Sequence, residues 1–302
     1  MKARIYFMLL AFPLFTGATF PAAKYAVQYF PALSAASWRF GLAAVCLLLV
    51  LAATEGIRKQ VVRENGIAFF ILGLLGIFGF NLFFFLGMKQ TSSVNGALIM
   101  ATNPLLTVLL ARIILNHAIT ARQAAGLILS LFGVLAVITH GSWELVHSLA
   151  FSAGDLFILA GNLCWALYSV LTRRLVKNSS SLATTTYTML AGAAILLIVS
   201  FLTPQPVSAV SIPLMAWIAI LFMAFFTSVL GYLWWNKGVQ ELGPGKTSIF
   251  FNFVPVVTML LSFAAGIPIS SVQWYGAALV LTGVFVSAEY TFIRKCVPKP
   301  SY

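Results

Sequence analysis

The sequence predicts an all-α integral membrane protein with ten transmembrane helices, arranged as two inverted repeats of five helices. Three features support this prediction: the composition, the number of long apolar segments, and a residue pattern that occurs twice. The chain of 302 residues is 61% hydrophobic and only 8% charged, whereas about a quarter of the residues in a soluble domain are charged. The longest polar stretches, around 54–65 and 140–152, are too short to form a separate core. We therefore expect no soluble domain and a lipid bilayer as the surrounding medium.

The second feature is a series of apolar segments, each long enough to cross a membrane. A spanning helix needs about 20 mostly apolar residues. The predicted spans are 4–24, 32–53, 66–88, 94–115, 121–140, 153–175, 182–203, 213–236, 246–266 and 272–292. The first segment could instead be a signal peptide, since Pro21-Ala22-Ala23 follows it like a small-residue cleavage site. Its length suits a span and the remaining topology needs it, which favours retention.

The basic residues predict how these helices are oriented. Of the 18 Lys and Arg residues, all except Lys24, Arg39 and Lys89 fall on one side if both termini lie on that side. Basic residues of short loops accumulate on the cytoplasmic side. We therefore expect a multi-pass protein of the cytoplasmic (inner) membrane with both termini in the cytoplasm. The net charge of +12 does not indicate nucleic-acid binding, because the basic residues form no stripe.

The third feature is a residue pattern in the fourth and fifth spans that returns in the ninth and tenth. The matching positions are Asn103-Pro104-Leu105-Leu106-Thr107 with Val254-Pro255-Val256-Val257-Thr258, and Thr120, Gln123, Gly126 and Gly133 with Ser270, Gln273, Gly276 and Gly283. The glycine pairs are seven residues apart and predict close helix packing. Each unit has an odd number of spans, so the second enters the membrane inverted. We predict a first repeat at 1–150, a second at 151–293 and a cytoplasmic tail at 294–302. Inverted repeats support alternating access about a central site.

Further residues support a family resemblance that covers nearly the whole chain. They are Thr16-Gly17 with Lys24, Arg39-Phe40, Leu86-Gly87 with Ser92, Pro104 to Val134, Cys164-Trp165-Ala166 with Arg173-Arg174, Trp234-Trp235 with Gly238 and Gly243, and Pro255 to Val284. With these residues the chain resembles the EamA-type transporters of the drug/metabolite transporter superfamily. The resemblance implies a secondary transporter that exports a small metabolite or amino acid across the cytoplasmic membrane. One departure is that the family's frequent Gly-Glu pairs are here Asn116-His117 and Gly266-Ile267.

The candidate solute path combines aromatic rings, amides and one guanidinium in the spans where the resemblance places a cavity. The candidate residues are Trp38, Arg39, Asn81, Phe84, Asn103, Trp165, Tyr168, Tyr187, Tyr232, Trp235 and Asn252. Aromatic rings can form a wall for apolar solutes, although a single ring is more typical of a lipid-facing or interfacial anchor. An amide within a span needs a partner on another helix or in water. Trp165 and Tyr168 share one helix face, which favours this pair most.

Arg39 and the two repeated prolines need separate interpretations. Arg39 lies about 10 Å along the second span, which leaves three roles open: reaching the interface, binding backbone carbonyls, or binding an anionic group of the solute. Pro104 and Pro255 should each free a carbonyl and kink their helices, and we predict that both act as hinges.

Other function classes lack the residues that they require. The chain has no His-Glu-x-x-His, no Asp-rich pair and no nucleophile beside a base, which disfavours a membrane-embedded enzyme. It has no filter motif for a channel-like facilitator and no Walker A motif for ATP. Its three cysteines have no metal-site or disulfide spacing. We therefore expect no catalytic residue, no metal and no cofactor, and a small-molecule solute as the partner.

The acidic residues bear on how transport is driven. There are six, and none lies in the middle third of a predicted span. Asp155 and Glu289 lie near helix ends and stay open as relay groups, although we expect charges at helix ends to face water. A proton relay usually needs a buried carboxylate or histidine. The sequence therefore predicts that transport follows the solute's own gradient or depends only weakly on protons.

Overall fold

The computed structural model describes residues 2–116, 120–138, 152–203 and 212–293, and this part of the chain contains helices and no strand. The α-helices are α1 (Lys2–Ala26), α2 (Ala32–Thr54), α3 (Lys59–Leu72), α4 (Phe80–Gln90), α5 (Ser93–Met100), α6 (Asn103–Leu115), α7 (Ala121–Ile138), α8 (Ala153–Leu175), α9 (Ser181–Leu202), α10 (Leu214–Phe222), α11 (Tyr232–Leu242), α12 (Pro244–Ser248), α13 (Phe253–Ala264) and α14 (Ser271–Ile293). Two π-helical segments, Gly73–Gly79 and Met223–Gly231, and one 3-10 turn, Ile249–Asn252, join some of them end to end. The predicted tail at 294–302 lies outside the described residues.

Eight helical rods in the described ranges are long and apolar enough to cross a membrane. They are Arg4–Ala26, Ala32–Thr54, Lys59–Gln90, Ser93–Leu115, Ala153–Leu175, Ser181–Leu202, Leu214–Leu242 and Pro244–Ala264. The protein is therefore a multi-pass membrane protein, and these rods coincide with eight of the predicted spans. The other two predicted spans fall on α7 and α14, which pack against each other. A β-carbon on Gly133 would lie 2.8 Å from the backbone nitrogen of Val280, so this crossing requires the glycine.

The repeated prolines begin new helices. The rod Ser93–Leu115 is broken at Ala101-Thr102, and Pro104 is the second residue of α6. In the rod Pro244–Ala264, Pro255 is the third residue of α13 and follows the 3-10 turn. The structure thus shows a break in each rod where the sequence predicted a kink, and each proline lies in the first turn of the helix that follows the break. The reason is that proline needs no N–H partner in a first turn, whereas in a helix interior it removes a hydrogen bond.

At each end of the bundle, a basic side chain donates to a backbone carbonyl oxygen near the end of a helix. Lys24 Nζ donates hydrogen bonds to the carbonyl oxygens of Met88 at 3.0 Å and Thr91 at 2.7 Å, at the end of α4. Arg173 Nη1 donates to the carbonyl oxygen of Gln240 at 2.8 Å, in the last turn of α11. The carbonyls at a helix C-terminus lack intrahelical partners and attract cations. We call these two regions the Lys24 end and the Arg173 end.

Asp155 contradicts the expectation that it faces water. The side chain is only 1% exposed and accepts a hydrogen bond from the Thr91 hydroxyl at the Lys24 end. The carboxylate is enclosed because α8 approaches the end of α4 closely: a β-carbon on Gly154 would lie 2.8 Å from the carbonyl carbon of Gln90. Asp155 thus helps to hold α8 against α4. Glu289 belongs to α14, but its side chain is outside the described part of the structure.

Candidate functional site

A small cavity lies at the centre of the bundle, between elements from both halves of the chain. Its volume is about 30 Å³, which is room for about two water molecules. Aromatic rings, three threonine hydroxyls and one guanidinium surround it. The lining residues are Phe12, Thr16, Thr19, Phe20, Arg39, Phe80, Phe84, Met100, Trp165, Thr227, Tyr232 and Phe251. In this conformation the cavity is too small for a metabolite, so a solute could enter only after the helices separate.

Trp165, on α8, is the central ring of the aromatic cluster around this cavity. The centroid of its ring lies 4.7 Å from that of Tyr232, which meets it edge-on, and 5.1 Å from that of Phe80. Trp235 and Phe251 complete the cluster at 5.4 and 6.1 Å. Edge-to-face and tilted pairs at these distances are favourable beyond the area that they bury. The cluster joins α4, α8 and α11 and forms one wall of the cavity.

Tyr168 lies directly behind this wall and does not line the cavity. Its ring centroid is 5.4 Å from that of Trp165, and its hydroxyl donates to Asn236 Oδ1 at 2.9 Å. Asn236 Nδ2 also donates to the Thr185 hydroxyl at 2.9 Å. A β-carbon on Gly76 would lie 2.3 Å from the Tyr168 ring. The ring is therefore fixed on both sides, and it supports Trp165 from behind.

Arg39 is the one charged residue of the cavity lining. Its side chain is 1% exposed, and its Nε donates a hydrogen bond to the Ser228 hydroxyl at 2.8 Å. The guanidinium carbon lies 4.8 Å from the centroid of the Phe40 ring. Nη1 is buried and has no hydrogen-bond partner among the described residues. Of the three roles open for Arg39, reaching the membrane interface does not fit a side chain that is 1% exposed. The acceptor that Arg39 Nε binds is the Ser228 hydroxyl and not a backbone carbonyl.

Two of the predicted amides bind other parts of the protein. Asn103 Nδ2 donates to Asn162 Oδ1 at 2.8 Å, and Asn162 Nδ2 donates to the carbonyl oxygen of Ile99 at 3.0 Å. Asn162 thus satisfies a carbonyl at the break that precedes α6 and ties this break to α8. Asn81 Nδ2 donates to the carbonyl oxygen of Ile77 at 2.8 Å and approaches the Tyr232 hydroxyl at 3.3 Å. Both amides are buried beside the cavity but do not line it.

The remaining candidates lie in different places. Trp38 is 50% exposed and meets Trp217 edge-on, with 5.3 Å between the ring centroids. Adjacent helical residues point about 100° apart, so the rotation that buries Arg39 turns Trp38 outward to an apolar surface groove. Tyr187 stacks on Phe69, away from the central cavity. Trp235 belongs to the aromatic cluster, and Asn252 is buried at the 3-10 turn.

Several lining residues were missed by sequence reasoning. Thr19 on α1 and Thr227 in the second π-helical segment meet across the cavity, with 2.6 Å between their hydroxyl oxygens. Phe12, Phe20 and Phe251 were also missed, because one phenylalanine among 26 carries little positional information. The only usable signal was a polar pair, Thr227-Ser228, within an apolar run.

Comparisons with known proteins agree over nearly the full length of the chain. A family model described as the EamA-like transporter family matches residues 3–139 and 152–288. The uncharacterized transporter YyaM of Bacillus subtilis (strain 168) is 57% identical over 291 residues, which cover 96% of this chain and 95% of that protein. A probable terminal-alkyne amino-acid exporter of Streptantibioticus cattleyicolor is 22% identical and covers 91% of this chain and 90% of its own. One solved crystal structure has a TM-score of 0.70 at 20% identity, with coverage of 97% and 99%, and therefore the same fold.

Proposed function

Because this chain belongs to the EamA-like transporter family, we propose that it is a secondary transporter that exports a small metabolite or amino acid by alternating access. The observation that supports this most is the small central cavity that residues from both halves of the chain line. A relative named a probable amino-acid exporter agrees with the class of solute and the direction. A channel-like facilitator would need a pore with a selectivity filter, whereas a carrier needs a central site that is reached from one side at a time.

The proposal includes a topology. With α7 and α14 as the fifth and tenth spans, each half has five spans and the second half is inverted relative to the first. Both termini then lie in the cytoplasm, the Lys24 end faces the outside and the Arg173 end faces the cytoplasm. The observed contacts support the inversion: each basic residue ends the first helix of its half and binds the end of the third rod of that half. The breaks before Pro104 and Pro255 are equivalent too, and we propose them as hinges.

Energy coupling follows from where the polar groups lie. Asp155 is a buried acid, but it is engaged with Thr91 at the Lys24 end and does not line the cavity. No histidine lines the cavity in the described structure. We therefore propose that the solute moves down its own gradient or with weak dependence on protons, in keeping with the residues around the site.

Flux in proteoliposomes tests the transport function directly. A panel of labelled amino acids and organic acids is offered to vesicles that are preloaded with the same unlabelled solute, and empty liposomes serve as the control. We expect at least one solute to be taken up faster when the vesicles are preloaded. The reason is that the binding site of a carrier returns to the other side of the membrane faster with solute bound than without it. An uptake rate that does not depend on preloading would indicate a channel. Uptake no faster than in empty liposomes for the whole panel would refute transport of amino acids and organic acids.

If the hydrogen bonds of Lys24 and Arg173 keep the two ends of the bundle shut, the variants Lys24→Met and Arg173→Met should open opposite ends. Loss of charge-assisted hydrogen bonds in Lys24→Met should weaken the Lys24 end by about 1–2 kcal/mol, which shifts the opening equilibrium about tenfold. Arg173→Met should favour opening at the other end. The reporter is Thr16→Cys on the cavity wall, in a background in which Cys46, Cys164 and Cys296 are replaced.

Sided labelling reads out which end has opened. A membrane-impermeant thiol reagent, added to whole cells, should label Thr16→Cys faster in Lys24→Met and not in Arg173→Met. Lys24→Arg keeps the charge and should label like the parent. Faster labelling from outside in Arg173→Met would contradict the proposed orientation, and equal labelling in all variants would contradict the role of these contacts in closure.

A further inference from the structure

The charge of Arg39 is not balanced within the described part of the protein. Asp155 is engaged at the Lys24 end, Glu55 accepts a hydrogen bond from Ser180 at the Arg173 end, and Glu64 and Glu241 are exposed. The guanidinium contacts the Ser228 hydroxyl and lies over two phenylalanine rings, at 4.8 Å from the centroid of Phe40 and 6.0 Å from that of Phe85. A cation–π contact offsets part of a buried charge, but an ion removed from water normally needs an opposite charge as well. The site is thus suited to an anion.

A second donor without an acceptor lines the same cavity. Trp165 Nε1 is buried and has no hydrogen-bond partner among the described residues, as is also true of Arg39 Nη1. Buried polar groups are nearly always hydrogen-bonded, so two such donors around one small space are unusual. Indole and guanidinium N–H groups can only donate. A ligand for both must therefore carry acceptor atoms.

Resting on the proposed transport function, we propose that the solute is an organic carboxylate with an apolar or aromatic body, and that Arg39 is the residue that binds its carboxylate. A guanidinium can donate two parallel hydrogen bonds to the two carboxylate oxygens. One cation in an otherwise uncharged lining suits a monoanion rather than a dianionic phosphate. The rings of Phe80, Phe84 and Phe251 then contact the body of the solute.

The hydroxyls of the lining suggest how the site widens around such a solute. Thr19 and Thr227 close the cavity through their mutual contact of 2.6 Å. Thr227 adjoins Ser228, which accepts the hydrogen bond from Arg39. Both lie in the π-helical segment Met223–Gly231, and π-helical segments are frequent at functional sites. Movement of this one segment would part the threonines and free the guanidinium for the incoming carboxylate.

Three small probes with the same phenyl ring test the recognised group. Phenylacetate is an anion, phenylacetamide is its neutral equivalent of the same shape, and phenylglycine adds an ammonium group to the carboxylate. Each is added at millimolar concentration to the purified protein in nanodiscs, and the melting temperature is measured. We expect phenylacetate to raise it and phenylacetamide to leave it unchanged. Phenylglycine as effective as phenylacetate would support the carboxylate site with amino acids as the source, and a weaker phenylglycine would support it with organic acids.

Variants locate the recognition at Arg39. In Arg39→Gln the affinity for phenylacetate should fall about 10- to 100-fold, and Arg39→Lys should be intermediate because the charge remains without the planar fork. Lys89→Gln removes an equal charge at an exposed position and should bind like the parent. If Arg39→Gln does not fold, the comparison of phenylacetate with phenylacetamide on the parent protein still decides the matter.

Two results would overturn this assignment. The first is equal stabilisation by phenylacetate and phenylacetamide, and the second is no stabilisation by either carboxylate. Binding requires no flux, so the proposal can fail separately from the transport function. Binding of phenylacetate but not of phenylacetamide, without counterflow of any solute, would refute the transport function and support the carboxylate site. Counterflow at equal rates for the acid and the amide would refute the carboxylate site and support the transport function.

Discussion

Replacement of Trp165 by alanine is expected to lower the free energy of unfolding by about 3–5 kcal/mol, as for other buried tryptophans, and to abolish transport. The ring contacts Tyr232, Phe80, Trp235 and Phe251, and its removal would leave a cavity where α4, α8 and α11 meet. A solute that packs on this wall would also lose its main contact surface. Trp165→Phe keeps part of the packing and should retain part of both properties.

Trp38→Ala is the matched control, because the same residue type is removed from the surface. Its ring is half exposed and contacts the ring of Trp217, so we expect little change in stability or transport. Thermal unfolding in detergent and counterflow at equal amounts of folded protein provide the two measurements. Normal transport by folded Trp165→Ala would remove this ring from the proposed path, and normal stability would contradict the packing described above.

Gly76→Ala is expected to destabilise the protein by about 1–3 kcal/mol, the usual cost of overpacking. The added β-carbon would lie 2.3 Å from the Tyr168 ring, and Tyr168 cannot retreat because its hydroxyl is bonded to Asn236. Displacement of this ring would also disturb Trp165 in front of it. We therefore expect transport to fall together with the melting temperature.

Gly41→Ala separates this steric effect from helix propensity. Gly41 is also helical, but a β-carbon there would have no atom within 4 Å. Alanine is the better helix former by about 1 kcal/mol, so Gly41→Ala should be neutral or stabilising. We thus predict that Gly76→Ala lowers the melting temperature and that Gly41→Ala does not, and thermal unfolding measures both changes. Equal effects at the two positions would show that the close contact of Gly76 with Tyr168 does not constrain the fold.

The sequence by itself determined that this chain is a multi-pass, helical membrane protein of a transporter family. Every backbone polar group in lipid must be bonded within a helix or a closed barrel, and apolar segments of about 20 residues have the length of a spanning helix rather than of a barrel strand. Helical spacing also predicted that Trp165 and Tyr168 share one helix face, and their ring centroids lie 5.4 Å apart. Those properties depend on residues near one another in the chain, where the geometry of the helix fixes the relation.

The tertiary structure decided which face of each helix points inward. Trp38 and Arg39 are neighbours in the sequence, yet one faces outward and the other lines the cavity, because α2 is rotated to place Arg39 beside Ser228, a residue far along the chain. Asp155 is buried because glycine allows α8 to reach the end of α4. In an apolar chain, both faces of a helix can look alike. The choice between them rests on close packing and on hydrogen bonds between distant segments, which no local pattern records.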